Sequence, residues 1–226
     1  MAARIPMRRL LVIPGVLAFT IAAVSGCAGT NDLSNSDSGR IGLLLFHEIT
    51  NIGSSESVPR SRVAAVPYAT LGVRLGSSDE SLFVLAGKSG TDLVWLGGRQ
   101  LAITTRDGRI VRTAGFVQNL SGFQIGGEPS AEENPGAERF LYDYAARSRY
   151  GVPVACTVRD AGSERIIVIG VPHDTRHLVE SCSADEIDWH FRNQFWKDAN
   201  GMVWKSEQNV APDLDAFTLE ILRPAQ

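Results

Sequence analysis

An Asp-Gly pair set between two alternating runs constrains this chain more than any other stretch. Residues 100–117 read QLAITTRDGRIVRTAGFV. Leu101 and Ile103 share one face of a first strand, and Asp107-Gly108 is a strong two-residue hairpin signal, because glycine accepts the positive φ that such turns need. In the strand that follows, Ile110, Arg112 and Ala114 fall on one face and Arg109, Val111 and Thr113 on the other. A hairpin of this kind anchors a larger antiparallel sheet.

The hairpin also concentrates charge in Arg106, Arg109 and Arg112. Two readings are open: pairing with carboxylates on neighbouring strands, or fork-shaped donors that hold an anionic or sugar ligand. Arg109 and Arg112 lie three positions apart, so on a strand they point to opposite sides. Ile110 and Ala114 share the Arg112 face, so Arg112 is expected to point inward as a structural arginine bonded to a carboxylate or to backbone carbonyls. Arg109, with Arg106 beside the turn, is then the candidate for contact with a glycan or a partner.

The same two-residue rhythm runs from Tyr68 onward. YATLGVRL, SLFVLAGK, DLVWLGG and QLAITTR follow one another, each ended by Gly, Ser or Asp or by the Asp-Gly turn. VPVACTVRD and ERIIVIGVP read as a hairpin across Asp160–Ser163, with a further strand near Arg176–Ser183. EIDWHFRNQFWK and GMVWKSEQ flank an Asn200-Gly201 turn, and AFTLEIL is a last strand. No helical pattern of ten or more residues interrupts the strands, so βαβ units are not expected. The fold predicted is mainly β: antiparallel strands in a barrel- or sandwich-like single domain, residues 41–226, with one or two short N-terminal helices. The helix candidates are Ile41–Ile49, for which a strand is an equal reading, and a turn starting near Ser61. Residues 121–139, rich in Gly, Pro and Glu, read as a long loop.

The N-terminus is of another kind. Arg4, Arg8 and Arg9 precede an apolar run from Leu10 to Val24, too short for a membrane span of about 20 residues. Val24-Ser25-Gly26-Cys27 ends it and resembles a bacterial lipobox. That implies a signal peptide over residues 1–26, lipid attachment at Cys27 and outer-membrane sorting, since Ala28 rather than Asp follows. The small polar residues 27–40 read as a flexible tether. Removing residues 1–26 takes away three arginines and no acid, which moves the net charge from −3 to −6. An acidic domain of this kind is a poor nucleic-acid binder.

Two cysteines remain after such processing, Cys156 and Cys182. In an exported chain an even pair is most simply a disulfide. No metal site or cofactor is expected: the cysteines lack ligand spacing, and His173 and His177, read as loop residues, would lie about 13 Å apart on a strand. There is no GxSxG, no P-loop and no GxGxxG after a strand. The acids Asp143, Glu180, Asp185, Glu186 and Asp188 include no pair that spacing selects for glycoside hydrolysis. Trp95, Trp189, Trp196 and Trp204 all stand in alternating strands, where core packing is favoured over a sugar-stacking platform.

VPYATLGVRL (66–75), DGRIVRTAGFVQNL (107–120) and NQFWKDANGMVWKSEQNVAPDL (193–214), in that order behind a lipobox, resemble the YjbF/GfcB family of exopolysaccharide and capsule-operon lipoproteins. The resemblance covers most of residues 41–224. It implies a lipid-anchored protein on the periplasmic face of the outer membrane, encoded beside an outer-membrane β-barrel protein and a periplasmic partner. It implies a role in assembly or export of a surface polysaccharide, as scaffold or binding module, with no catalytic activity. Residues 121–139 and the cysteine pair fall outside the resemblance. Two rival readings are a hydrolase or lyase acting on the polymer and an envelope-structural lipoprotein without a glycan role.

Overall fold

A computed structural model of the protein describes residues 57–126 and 137–225. The signal peptide, Cys27, the tether and the first helix candidate lie outside the described residues. The chain folds into one 12-stranded antiparallel sheet rolled into a nearly closed barrel. After a short helix α1 (Arg60–Ala65) come β1 (Thr70–Leu75), β2 (Ser81–Ser89), β3 (Asp92–Leu96), β4 (Ala102–Arg106), β5 (Arg109–Ala114) and β6 (Gly122–Ile125). The second half contains β7 (Ala137–Tyr144), β8 (Arg149–Val168), β9 (Val171–Ala184), β10 (Trp189–Lys197), β11 (Val203–Gln208) and β12 (Phe217–Arg223). The order across the sheet is β5-β4-β3-β2-β1-β12-β11-β10-β9-β8-β7-β6. The two edges meet where the Thr113 N–H donates to the Leu120 carbonyl and the Leu120 N–H donates to the Thr113 hydroxyl.

Alternation decides what fills the barrel. Leu71, Phe83, Trp95, Ile103, Phe140, Val154 and Phe217 point inward and form one continuous core. Trp95, fully buried, gives its indole N–H to the Thr105 hydroxyl. Cys156 and Cys182 sit directly opposite on β8 and β9, Cα atoms 4.1 Å apart, and form a disulfide that faces the core.

The expected hairpin across Asp160–Ser163 is not present. β8 runs through these residues as one strand, paired with β9 along its length and bent at a bulge between Asp160 and Gly162. Gly162 takes φ +108°, which explains why a turn-rich quartet is compatible with a continuing strand. The chain reverses instead at Ile169-Gly170, both at positive φ. His173 and His177 therefore lie on β9 and not in a loop. The far half of this hairpin folds along the outside of the barrel. Ile166 and Val168 pack on Trp196, His177 stacks on Trp196 at 4.5 Å and His173 on Trp204 at 3.7 Å. Three tryptophans are thus packing residues, and Trp189 stacks on Phe191 at the edge of the core. Residues 121–139 also differ from the loop reading: 122–125 form β6 and pair with β7.

Helix α1 covers the outer face of β1, β2 and β12, with Val58 and Val63 against Leu82 and Leu222. The buried Glu80 carboxylate crosses Gly72 to accept the Val58 N–H at 2.7 Å. Burial and the nearby Glu80 charge push the Glu220 carboxyl above its ordinary range, against the pull of Lys205 and Arg74. A carboxyl raised on folding costs stability wherever it is ionised, and the cost disappears as pH falls through the folded and then the unfolded pKa. Glu220→Gln is therefore expected to raise Tm at pH 7. The gain should shrink on acidification and vanish below about pH 4, which thermal melts across that range will check.

Candidate functional site

One end of the barrel opens into a cavity of about 380 Å³. Its walls are apolar, with Phe123, Phe140 and Phe195 inside and Ile125 and Val158 exposed at the lip. Its charged residues are Arg106, Asp107, Arg109, Glu138, Glu180 and Lys197, so the mouth is close to electrically neutral.

Arg109 lies across this cavity. Its guanidinium donates two hydrogen bonds to the Glu180 carboxylate, at 2.9 and 2.5 Å, and lies 4.6 Å from the Phe140 ring and 5.2 Å from the Phe195 ring. Arg109 keeps 18% of its side chain exposed and Glu180 only 1%. Burial opposes the Arg109 charge, but the Glu180 bonds outweigh it and raise its pKa. Asn193 adds a hydrogen bond to the Glu180 carboxylate at 2.8 Å, and its amide oxygen accepts the Asn209 N–H. Burial pushes the Tyr142 phenol beside this group up to about 12, so it stays protonated at neutral pH. A second carboxylate, Glu138, comes within 4.0 Å of Arg109 and is half exposed.

This arrangement reverses the expected faces of the hairpin. Arg109 is the inward, ion-paired arginine and Arg112 is exposed. The reason is the shape of the sheet. The start of β5 is drawn inside the barrel, so Ile110 and Val111 are buried together. Gln208 of β11 holds it there: its amide oxygen accepts the Ile110 N–H and its NH₂ group donates to the Gly108 carbonyl, both at 2.8 Å. A register shift opposite Thr104 and Thr105 makes Val111 an extra residue and turns Arg112 outward. Arg106 is the residue that pairs with a neighbouring strand, bidentate to Asp92 at 2.6 and 2.9 Å, and that bond pulls the Asp92 carboxyl below its ordinary range.

The turn itself fits closely. Asp107 and Gly108 have φ +50° and +82°, and a Cβ on Gly108 would lie 2.5 Å from the Val203 Cβ. Gly108→Ala combines strain with a clash and is expected to cost about 1–3 kcal/mol, read as a lower urea midpoint.

Sequence reasoning singled out Arg106 and Arg109, which do meet at the mouth, but gave no role to Asn193 and Gln208 and set Glu180 among undistinguished acids. A signal for Glu180 existed: once Cys182 faces the core, period two places Glu180 on the same side. Glu180 also lies near both cysteine sulfurs, but these are joined to each other and offer no thiolate to a metal.

The residues of this network fall within the two longest motifs, 107–120 and 193–214, with Glu180 between them. The sequence profile of the group 4 capsule polysaccharide lipoprotein family, GfcB and YjbF, matches residues 42–222. The chain belongs to this family. The crystal structure of the hypothetical lipoprotein YmcC from Escherichia coli K12 superimposes with a TM-score of 0.64 over 84% of this chain and 96% of that one. At 21% identity this likeness concerns the fold. An exported protein with a YmcC-like fold from Bacteroides fragilis aligns over 69% of this chain and 93% of its own at 10% identity and a TM-score of 0.33, and carries no argument here. A search of curated proteins finds no match.

Proposed function

We propose that this capsule-family lipoprotein is anchored to the outer membrane through Cys27, faces the periplasm across the tether 27–40, and assists assembly or export of a surface polysaccharide as a scaffold or binding module. Family membership over residues 42–222 is the observation that carries this reading. The site geometry supports a non-catalytic role. Both Glu180 oxygens are engaged by Arg109, and Asn193 takes a further bond, so this carboxylate is committed to holding the barrel wall. In this reading the mouth meets a glycan or a partner protein, an outer-membrane β-barrel or periplasmic protein of the same operon. Arg106 on the rim, 37% exposed, makes contact, while Arg109 fixes the shape of the wall. The test is a pull-down from detergent-solubilised envelopes. An outer-membrane β-barrel protein should co-purify with wild type and be lost with Cys27→Ser, which cannot be lipidated. Recovery of no barrel protein, or equal recovery with soluble Cys27→Ser, contradicts the reading.

A further inference from the structure

The outer wall of the barrel carries a second concavity, of about 730 Å³, spanning β7 to β10. Register places its residues in two adjacent rows. One runs Arg139, Ala155, Ser183, His190, and the next runs Ala137, Thr157, Ser181, Arg192. Small residues and hydroxyls thus form the floor, with longer cationic or ionisable side chains along both sides. The width from β7 to β10 is three strand spacings, about 14 Å, and the rows lie about 7 Å apart. None of the residues lining the groove is acidic.

Such a surface stands out on a chain with more acids than bases. The sign changes only at one end, where Asp185 and Glu186 border an adjoining cavity that shares Arg139, Ala155 and Ser183. The mouth of the barrel differs: its cations and carboxylates balance, and Arg109 is already satisfied. An arginine fork suits carboxylate and phosphate groups, and hydroxyls on a shallow floor suit the edges of sugar rings.

Resting on the polysaccharide reading above, we infer that this groove binds an extended acidic glycan, one whose sugars carry carboxylate or phosphate groups. Arg139 and Arg192 take the charged groups from opposite sides. Thr157, Ser181 and Ser183 hydrogen-bond the ring hydroxyls between them. An acidic polymer entering this groove meets no like charge until it reaches Asp185 and Glu186, which set one end of the binding stretch.

The probe is polygalacturonate oligomers, a uronic-acid polymer, titrated into the full chain, with dextran as the neutral control and phosphatidylglycerol vesicles as the lipid control. Polygalacturonate should bind with an affinity that falls steeply with salt, and dextran should bind at least tenfold more weakly. Arg192→Ala should lose fivefold or more of the affinity at unchanged Tm, while Arg112→Ala, elsewhere on the surface, should lose none. Equal binding of dextran, an Arg192→Ala protein with full affinity, or Arg192-dependent binding that prefers the vesicles would overturn the inference. Complementation separates its failure from failure of the reading beneath it. A deletion strain that loses surface polysaccharide and is fully restored by Arg192→Ala overturns the groove alone. A strain that loses none overturns the polysaccharide role itself.

Discussion

Arg109→Ala is expected to destabilise the barrel by about 3–5 kcal/mol, while Arg112→Ala stays within about 0.5 kcal/mol of wild type. The asymmetry follows from what each substitution leaves behind. Without Arg109, a Glu180 carboxylate that is 1% exposed loses two hydrogen bonds and its counter-charge. The cost is the stranded charge and not the net worth of the pair, which can be small in a buried setting. Glu180→Gln should therefore recover part of the loss in an Arg109→Ala background, because a neutral amide needs no counter-charge. Arg112 is exposed, and its only resolved effect is to help lower the Asp92 carboxyl. Urea unfolding of the two single variants and the Arg109→Ala/Glu180→Gln double variant reads all three outcomes. A stable Arg109→Ala protein beside an unfolded Arg112→Ala protein would restore the faces that simple alternation implies.

Loss of the Cys156–Cys182 disulfide should cost about 3.5 kcal/mol in the chain-entropy account for a separation of 26 residues. The bridge does more than close a loop. It joins β8 and β9 one register step from Glu180, so it also holds the partner of Arg109 in place. The Cys156→Ala/Cys182→Ala variant should have a lower Tm in oxidising buffer and be indifferent to reductant. Wild type should fall toward it on adding dithiothreitol. Equal Tm values for wild type in both buffers would show that the bridge contributes nothing.

The parts of this fold legible in the sequence are those where a strand has one face in the core and one outside. β1 to β4 obey that condition, and their alternation placed Leu71, Phe83, Trp95 and Ile103 inward without ambiguity. Asp107-Gly108 and Asn200-Gly201 were legible because positive φ narrows the residue choice. Reading failed where the sheet departs from a flat two-faced surface. β5 enters the barrel and is covered on both faces near Arg109, so parity alone assigned Arg109 and Arg112 the wrong way round. At Asp160–Ser163 the turn-forming residues serve a bulge, since β9 continues to pair with the strand on either side. Ile169, a β-branched residue at φ +46°, gave no warning that it opens the true turn. The Gln208 clasp left no pattern at all: it is a side-chain amide bonded to backbone 100 residues away, a contact only the rolled sheet creates.

The central claim is that this chain acts in delivering a surface polysaccharide without chemically altering it. The most direct measurement is the amount and chain length of the polymer at the surface and in the periplasm of a deletion strain, with and without plasmid-borne wild type. The account predicts less polymer at the surface, retention in the envelope, and repeat units of unchanged structure, all restored by the wild-type chain. Unchanged surface polymer, or normal amounts of polymer with altered linkages or length, would contradict it.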